Sequence, residues 1–170
     1  MALADDLLKQ AFLLLNKEPK NPTQASLRRS VSTAYYALFH LLIQEASSNW
    51  SRADTREYLA RAFEHRTMLD ASKRAENANY DAFPPQVVSK LRAVARAFRE
   101  LQVQRHLADY SNATKWDRTK ADAKVKQSKT AFANWKSIRN EYVAQRYLVS
   151  LLSNYKEEWD GGIAESRSGV

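Results

Sequence analysis

The stretch Arg28–His40, with the sequence RRSVSTAYYALFH, decides the fold of this chain. Apolar side chains recur through it and beyond it at intervals of four, four, three and four residues, the spacing of one helix face. This stripe consists of Leu27, Val31, Tyr35, Leu38 and Leu42. Because Thr23 can cap a helix N-terminus, the pattern predicts a helix that runs from just after Thr23 to about Ser47.

Helical spacing also accounts for most of the remaining chain. Residues 3–15 predict a first helix, the stretch from Pro85 to about Tyr110 predicts a long one, and residues 117–154 predict the longest. The pattern is weaker over 52–79, where we expect two short helices, separated near Arg66, that lie outside the core.

Two further apolar stripes are expected to complete the core. The first consists of Val87, Leu91, Val94, Phe98, Leu101, Arg105 and Ala108. The second consists of Val125, Phe132, Trp135, Ile138, Tyr142 and Val149. We therefore predict an all-α fold, with residues 1–156 as a single helical domain and 157–170 as a frayed tail.

Composition agrees with this fold class. The 170 residues include only 3 Gly and 4 Pro, so turns are few and the elements are long. The chain has no Cys, which excludes disulfides and cysteine metal sites. No apolar run approaches the ~18 residues of a membrane span. The start, Met1–Asp6, lacks the basic segment of a signal peptide, so we expect a cytoplasmic protein.

The charge of the chain points to a polyanionic partner. The net charge is +8, and residues 115–146 hold nine Lys or Arg against three Asp or Glu. On a helix, five of these cations fall within an arc of ~80°, which Asp122 shares. They are Lys115, Arg118, Lys126, Lys129 and Lys136. This basic stripe either follows the phosphate backbone of RNA or DNA or is a solvated face that keeps the protein soluble.

Several site classes are excluded or not expected. With three Gly in all, the chain can form neither a P-loop nor a dinucleotide-binding loop. Its three His are scattered and lack carboxylates at the spacing of metal ligands. We therefore expect no metal site and no cofactor.

Arg105 occupies a seam position where an apolar residue is expected. A buried charge needs a partner, and Asp109 lies one turn later. The pair is either a structural ion pair that fixes the packing of the helices or a guanidinium held ready for a phosphate group.

A polar stripe lies beside this seam and contains Arg99, Gln102, His106 and Tyr110. A His that titrates near neutrality could move a proton to or from the 2′-hydroxyl or leaving oxygen of RNA. An Arg could stabilise the charge that develops on the phosphate. Arg and His on an exposed helix face also arise by chance.

A second face, on the helix around Arg28–His40, carries Arg29, Ser32, Tyr36 and His40. Its Tyr and His are either core groups with satisfied polar tips or members of a groove. In the second case this face would meet the face with Arg99 and His106.

Two segments together resemble the HEPN superfamily of prokaryotic toxin–antitoxin and defence systems. They are Arg29–His40, with its Tyr-Tyr-Ala-x-Phe-His pattern, and Leu101–Tyr110, with its Arg-x-x-Ala-Asp-Tyr pattern. The resemblance covers about residues 3–152 and implies an up-and-down bundle of four to five helices that forms a homodimer. It also implies a cognate antitoxin, such as a nucleotidyltransferase, as a partner.

In ribonucleases of this superfamily, an Arg followed by four to six residues and a His forms a metal-independent site in the dimer cleft. Here six residues separate Arg99 from His106. The resemblance implies His106 as acid and base, Arg99 and Arg105 as phosphate stabilisers, and Tyr110 in support. The chain departs from the pattern, because Glu100 follows the Arg and Ala108, rather than a Tyr, lies two residues after the His.

Three functions therefore stay open. The chain is an RNA- or nucleotide-associated module with endoribonuclease activity, a non-catalytic interaction subunit, or a nucleotide-binding sensor that uses Tyr36, Tyr110 or Trp116. A shared, solvated cleft that contains Arg99 and His106 would favour the enzyme. Burial of these side chains beneath residues 52–79, or their separation, would favour the interaction subunit.

Overall fold

The structure, a computed structural model, describes residues 3–153, and every regular element in that range is helical. The α-helices are α1 Leu3–Leu15, α2 Gln24–Ser48, α3 Arg56–Arg61, α4 His65–Asn77, α5 Pro85–Tyr110, α6 Arg118–Ile138 and α7 Tyr142–Ser150, with a single 3-10 turn at Ala53–Thr55. The predicted all-α class is confirmed. The predicted tail at 157–170 lies outside the described residues.

Helix α2 packs against α1, α5 and α6. Its predicted N-cap is confirmed, since the Thr23 hydroxyl accepts a hydrogen bond from the amide of Ser26 at 3.2 Å. All five residues of its predicted stripe are at most 1% exposed. Small side chains allow α6 to approach closely, and the buried Ser128 hydroxyl donates to the carbonyl oxygen of Ala34 at 2.8 Å.

The region 52–79 differs from the prediction in two ways. The break between its helices lies at 62–64 rather than near Arg66. Helix α4 is also part of the core, because Met68, Ala71 and Ala75 are at most 1% exposed. Their spacing of three and four residues gives α4 one apolar face, which packs on α5.

The predicted last helix is in fact two helices. The chain turns after Ile138, where the amide of Glu141 donates to the Ile138 carbonyl at 2.8 Å, and α7 then begins. This turn is stabilised by another helix, because Arg139 forms an ion pair with Glu45 of α2. Because the turn rotates α7, its buried side chains are Val143, Ala144, Tyr147, Leu148 and Ser150.

The turn also overturns part of the predicted core. Tyr142 and Val149 were expected to be buried on one continuous helix, but they are 50% and 62% exposed. Within residues 3–153, no helix is long and apolar enough to cross a bilayer.

Candidate functional site around Arg105

Arg105 of α5 faces α2 and is largely enclosed. Its Nη2 donates to the hydroxyl of Tyr36 at 2.6 Å. Its Nε lies 3.2 Å from Oδ2 of Asp109, and the two side chains are 19% and 20% exposed. The predicted pair with Asp109 is therefore present, although the Nε–H is not aligned with the carboxylate as in a hydrogen bond.

Three tyrosine rings surround the Arg105 guanidinium. Its central carbon lies 5.9 Å from the ring centre of Tyr35, 5.3 Å from that of Tyr36 and 5.7 Å from that of Tyr110. These are cation–π distances. Burial acts to lower the pKa of Arg105, but the hydrogen bond with Tyr36 and the negative charge of Asp109 raise it overall. The guanidinium therefore stays charged.

The two segments that carry the family resemblance are in direct contact at this point. Besides the Tyr36–Arg105 bond, the hydroxyl of Ser32 donates to Oδ2 of Asp109 at 3.2 Å. We expected Ser32 and Tyr36 to face Arg99 and His106, if they faced a groove at all. They contact Arg105 and Asp109 instead, on a different face of α5.

His65, at the start of α4, completes the cluster, and the sequence analysis missed it. Its Nδ1 lies 2.6 Å from the hydroxyl of Tyr35, and its ring stacks on Phe39 with the ring centres 4.2 Å apart. Burial lowers the pKa of His65, as do the charges of Arg105 and His40. No local pattern could have identified it, because its partners come from α2.

Arg99 does not reach this cluster. Its Nε donates to Oε2 of Glu76 on α4 at 2.8 Å, and Arg96 binds the other oxygen of that carboxylate at 2.8 Å. The hydrogen bond from Arg99 lowers the pKa of Glu76, and Glu76 raises the pKa of Arg99. Glu76 is 12% exposed and Arg99 is 33% exposed, so Arg99 is held against α4 by an ion pair whose carboxylate is shielded and whose guanidinium is partly open to solvent.

His106 lies on the outer side of α5. It is exposed, and its ring centre lies 5.0 Å from that of Tyr110, which is 64% exposed. Between the two predicted catalytic residues, Gln102 turns inward and donates to the carbonyl oxygen of His65 at 3.3 Å. The predicted polar stripe is thus divided: α4 covers its first half and solvent surrounds its second half.

The remaining members of the α2 face are separated from Arg105. Arg29 is exposed and forms no hydrogen bond or ion pair within residues 3–153. His40 is half-buried, packs edge-on against Phe39 at 5.3 Å, and lines a groove that also includes Arg56 of α3. Burial lowers the pKa of His40. Of the predicted α2 residues, the structure brings Tyr36 to Arg105 and Ser32 to Asp109.

Three cations of the basic stripe have partners within the fold. Lys126 pairs with Asp122 at 2.7 Å, and Lys136 pairs with Asp5 of α1 at 3.2 Å. The third, Arg118, donates to the carbonyl oxygens of residues 18 and 19 in the connection between α1 and α2. The contacts of Lys136 and Arg118 join α6 to α1 and to the connection after it, and all three contacts reduce the charge available to a polyanion.

Lys115 and Lys129 are the members of the stripe without such partners. Both are exposed and form no ion pair within the described part of the chain, although Lys129 lies 5.8 Å from the ring centre of Phe12. Trp116, beside Lys115, is only 4% exposed and is not free to stack on a base. No group of three or more His, Asp or Glu in residues 3–153 could hold a metal ion.

No protein-family model, curated protein or solved structure matches this chain. The resemblance to the HEPN superfamily therefore depends on the two motif segments themselves.

Proposed function

We propose that the chain is a non-catalytic, HEPN-like module of a toxin–antitoxin or antiphage system, which forms a homodimer and associates with RNA or a nucleotide. The observation that carries this proposal is that Arg99 forms an ion pair with Glu76 at 2.8 Å, while His106 lies exposed beside Tyr110. A metal-independent ribonuclease site would need Arg99 and His106 to converge on one phosphate.

The outer face of α5 supports the homodimer. Val103 is 49% exposed and Tyr110 is 64% exposed, and exposed His106 lies between them at helical spacing. Tyrosine is enriched at protein interfaces because its ring is apolar and its hydroxyl can donate a hydrogen bond. A second copy or a cognate antitoxin, such as a nucleotidyltransferase, would bury this face.

The unpartnered edge of the Arg105 guanidinium supports the proposed association with a phosphate. Nη2 is bonded to Tyr36, whereas Nη1 forms no hydrogen bond within residues 3–153. With the side chain 19% exposed, one edge of the guanidinium is open to an incoming oxygen. Phosphate is well suited to this edge, because Arg forms charge-assisted hydrogen bonds with it.

The dimer is tested by sedimentation equilibrium of the wild type and the double variant Val103→Asp/Tyr110→Asp. We expect the wild type to be a dimer at tens of micromolar and the double variant to be a monomer. Leu13→Asp is the matched control, since Leu13 is 72% exposed on α1 and its replacement should leave the dimer intact. A wild type that stays monomeric would rule out the homodimer.

The second candidate function is a metal-independent endoribonuclease assembled across the dimer. It is favoured by one observation: exposed His106 shares a surface with Tyr110, whose ring lies 5.7 Å from the Arg105 guanidinium. In that case His106 would transfer the proton, and Arg105, with Tyr110 in support, would stabilise the phosphate across the shared surface.

Cleavage of total and transfer RNA in EDTA separates the two candidates. We expect no activity in the wild type under the leading proposal. Activity that disappears in His106→Ala, with the fold and the dimer intact, would instead establish the ribonuclease. Arg99→Ala serves as a comparison, because loss of activity in that variant would mean that Arg99 leaves Glu76 when RNA binds.

A further inference from the structure

A cavity of about 520 Å³ lies between the α4–α5 connection and the first turns of α5. This volume falls in the range of small-molecule sites. Its wall combines two arginines, Arg92 and Arg96, with the aromatic rings of Tyr80 and Phe83. His106 lies ten residues beyond Arg96, or roughly 15 Å along the helix, so the cavity is separate from the surface proposed above.

The arginines place like charges one turn apart on the same helix face, an arrangement that is unfavourable unless an anion compensates it. Glu76 compensates Arg96, at 2.8 Å, but forms no ion pair with Arg92. Asp81 also lines the cavity, yet it pairs with neither arginine within the described residues. Arg92 therefore has no carboxylate in contact with its guanidinium, although Asp81 adds a negative charge to the same wall.

Arg92 is held firmly but is incompletely hydrogen-bonded. Its Nη2 donates to the carbonyl oxygen of Ala78 at 2.9 Å, and its guanidinium lies 5.3 Å from the ring centre of Tyr80. Its Nε is buried and out of reach of a ligand, but its Nη1 forms no hydrogen bond in the described part of the chain and is accessible. A fixed guanidinium with unmet donors at a cavity wall is suited to an oxygen acceptor from a ligand.

The apolar part of the wall adjoins Arg92. Tyr80 is 4% exposed, and its hydroxyl is anchored by a 2.8 Å hydrogen bond to the carbonyl oxygen of Ala75. Phe83 packs edge-on against it with the ring centres 6.3 Å apart, and Val88 also lines the cavity. Phe83 is only half-buried, so part of its ring is available to a flat ligand, and the buried Tyr80 supports it from behind.

We propose that this cavity binds a small aromatic anion, with its carboxylate or phosphate between Arg92 and Arg96 and its ring against Phe83. The site requires neither RNA nor a second copy of the chain. It is therefore independent of the proposed function.

The test is a titration of the ¹⁵N-labelled chain, followed by NMR, with phenyl phosphate and with benzoate. We expect at least one of them to shift amides of residues 80–96 with a dissociation constant on the order of 1 mM. Benzyl alcohol tests the need for charge, and inorganic phosphate tests the need for a ring. Both should bind at least about tenfold more weakly.

Two variants locate the site. Arg96→Gln should weaken binding about tenfold, because a charge-assisted hydrogen bond is lost while Arg99 still pairs with Glu76. Ala93→Phe, at an exposed position in the cavity wall, should abolish binding by filling the space. Arg61→Gln is the control and should bind like the wild type, since Arg61 is exposed on α3.

Shifts that lie outside residues 80–96, or equal binding by benzyl alcohol or by inorganic phosphate, would overturn the proposal. So would unchanged binding in folded Arg96→Gln and Ala93→Phe. Failure of the dimer or RNA experiments would leave it standing, because those experiments concern the other half of α5.

Discussion

Arg105 can occupy the apolar seam of α5 because its charge is compensated on several sides. Tyr36 accepts its hydrogen bond at 2.6 Å, Asp109 supplies the opposite charge at 3.2 Å, and the tyrosine faces lie within cation–π range. A partly buried guanidinium without these partners would be strongly destabilising. The same contacts join α2 to α5, so a candidate binding residue is also a structural one.

Tyr36→Phe should reveal the structural part of this role. Removal of the hydroxyl leaves Nη2 of Arg105 without its acceptor, and we expect the free energy of unfolding to fall by about 1–2 kcal/mol. Urea denaturation measures the change. Tyr58→Phe is the control: Tyr58 is 72% exposed, and its replacement should change stability by less than about 0.5 kcal/mol. Equal effects of the two substitutions would contradict the role of the Tyr36 hydroxyl.

His65 should make stability depend on pH. Burial lowers its pKa in the folded chain, so the unfolded chain takes up a proton at higher pH. The contribution of neutral His65 to the stability of the fold is therefore complete above the unfolded pKa of about 6.5. It is lost as the pH falls below that value. We expect the melting temperature to fall between pH 7.5 and 5.5.

The pH profile should be flatter in His65→Gln, with the residual slope due to His40, whose pKa burial also lowers. His106→Gln is the matched control for the loss of one imidazole, because His106 is exposed and lies outside the cluster. Superimposable profiles of the wild type and His65→Gln would show that His65 is not held in its neutral form.

At the scale of elements, α4 is connected to α5 by charge as well as by apolar packing. One carboxylate, Glu76, binds Arg96 and Arg99 at 2.8 Å each and is 12% exposed. Shielding from solvent strengthens an ion pair and also raises the cost of leaving its members unpaired. The contact that keeps Arg99 from His106 is thus part of the packing of α4.

Glu76→Gln should weaken this attachment. The neutral amide cannot compensate two guanidinium groups, so we expect a loss of about 1–3 kcal/mol in the free energy of unfolding. Hydrogen exchange of α4 amides should accelerate as well. Glu57→Gln removes an exposed pair with Arg61 on α3 and should cost less than about 0.5 kcal/mol. A similar small effect for Glu76→Gln would mean that apolar contacts alone hold α4.

At the scale of the whole molecule, the net charge of +8 overstates the charge that a polyanion would meet. Lys126 and Lys136 have carboxylate partners at 2.7 and 3.2 Å, whereas Lys115 and Lys129 have none within residues 3–153. We therefore expect only a few phosphate contacts with RNA.

If about four phosphates are contacted, affinity for single-stranded RNA should fall about 50-fold between 50 and 200 mM salt. Lys115→Gln/Lys129→Gln should lower the slope of log affinity against log salt by about 1.4. Fluorescence anisotropy at several salt concentrations measures both. Arg66→Gln/Lys73→Gln removes two charges from α4 and should keep the wild-type slope. Equal slopes for the two double variants would exclude the basic stripe as the contact surface.

The local sequence was sufficient to predict α1, α2 and α5. The bounds of α1, α2 and α5 follow from apolar spacing, from the Thr23 cap and from Pro85 at a helix start, and the structure agrees with them. The pair between Arg105 and Asp109 was predictable for the same reason, because residues four apart meet on any helix.

Tertiary structure decided the rest, because the decisive partners are distant in sequence. The turn after α6 is held by Glu45, which lies 94 residues before Arg139. The Arg99–Glu76 contact spans 23 residues, and the Tyr36–Arg105 contact spans 69. Periodicity shows which face of a helix is apolar, but the polar group that faces a given Arg or His depends on how the helices pack. The sequence alone therefore predicted α1, α2 and α5, whereas packing determined the turn between α6 and α7 and which polar residues of the helices meet.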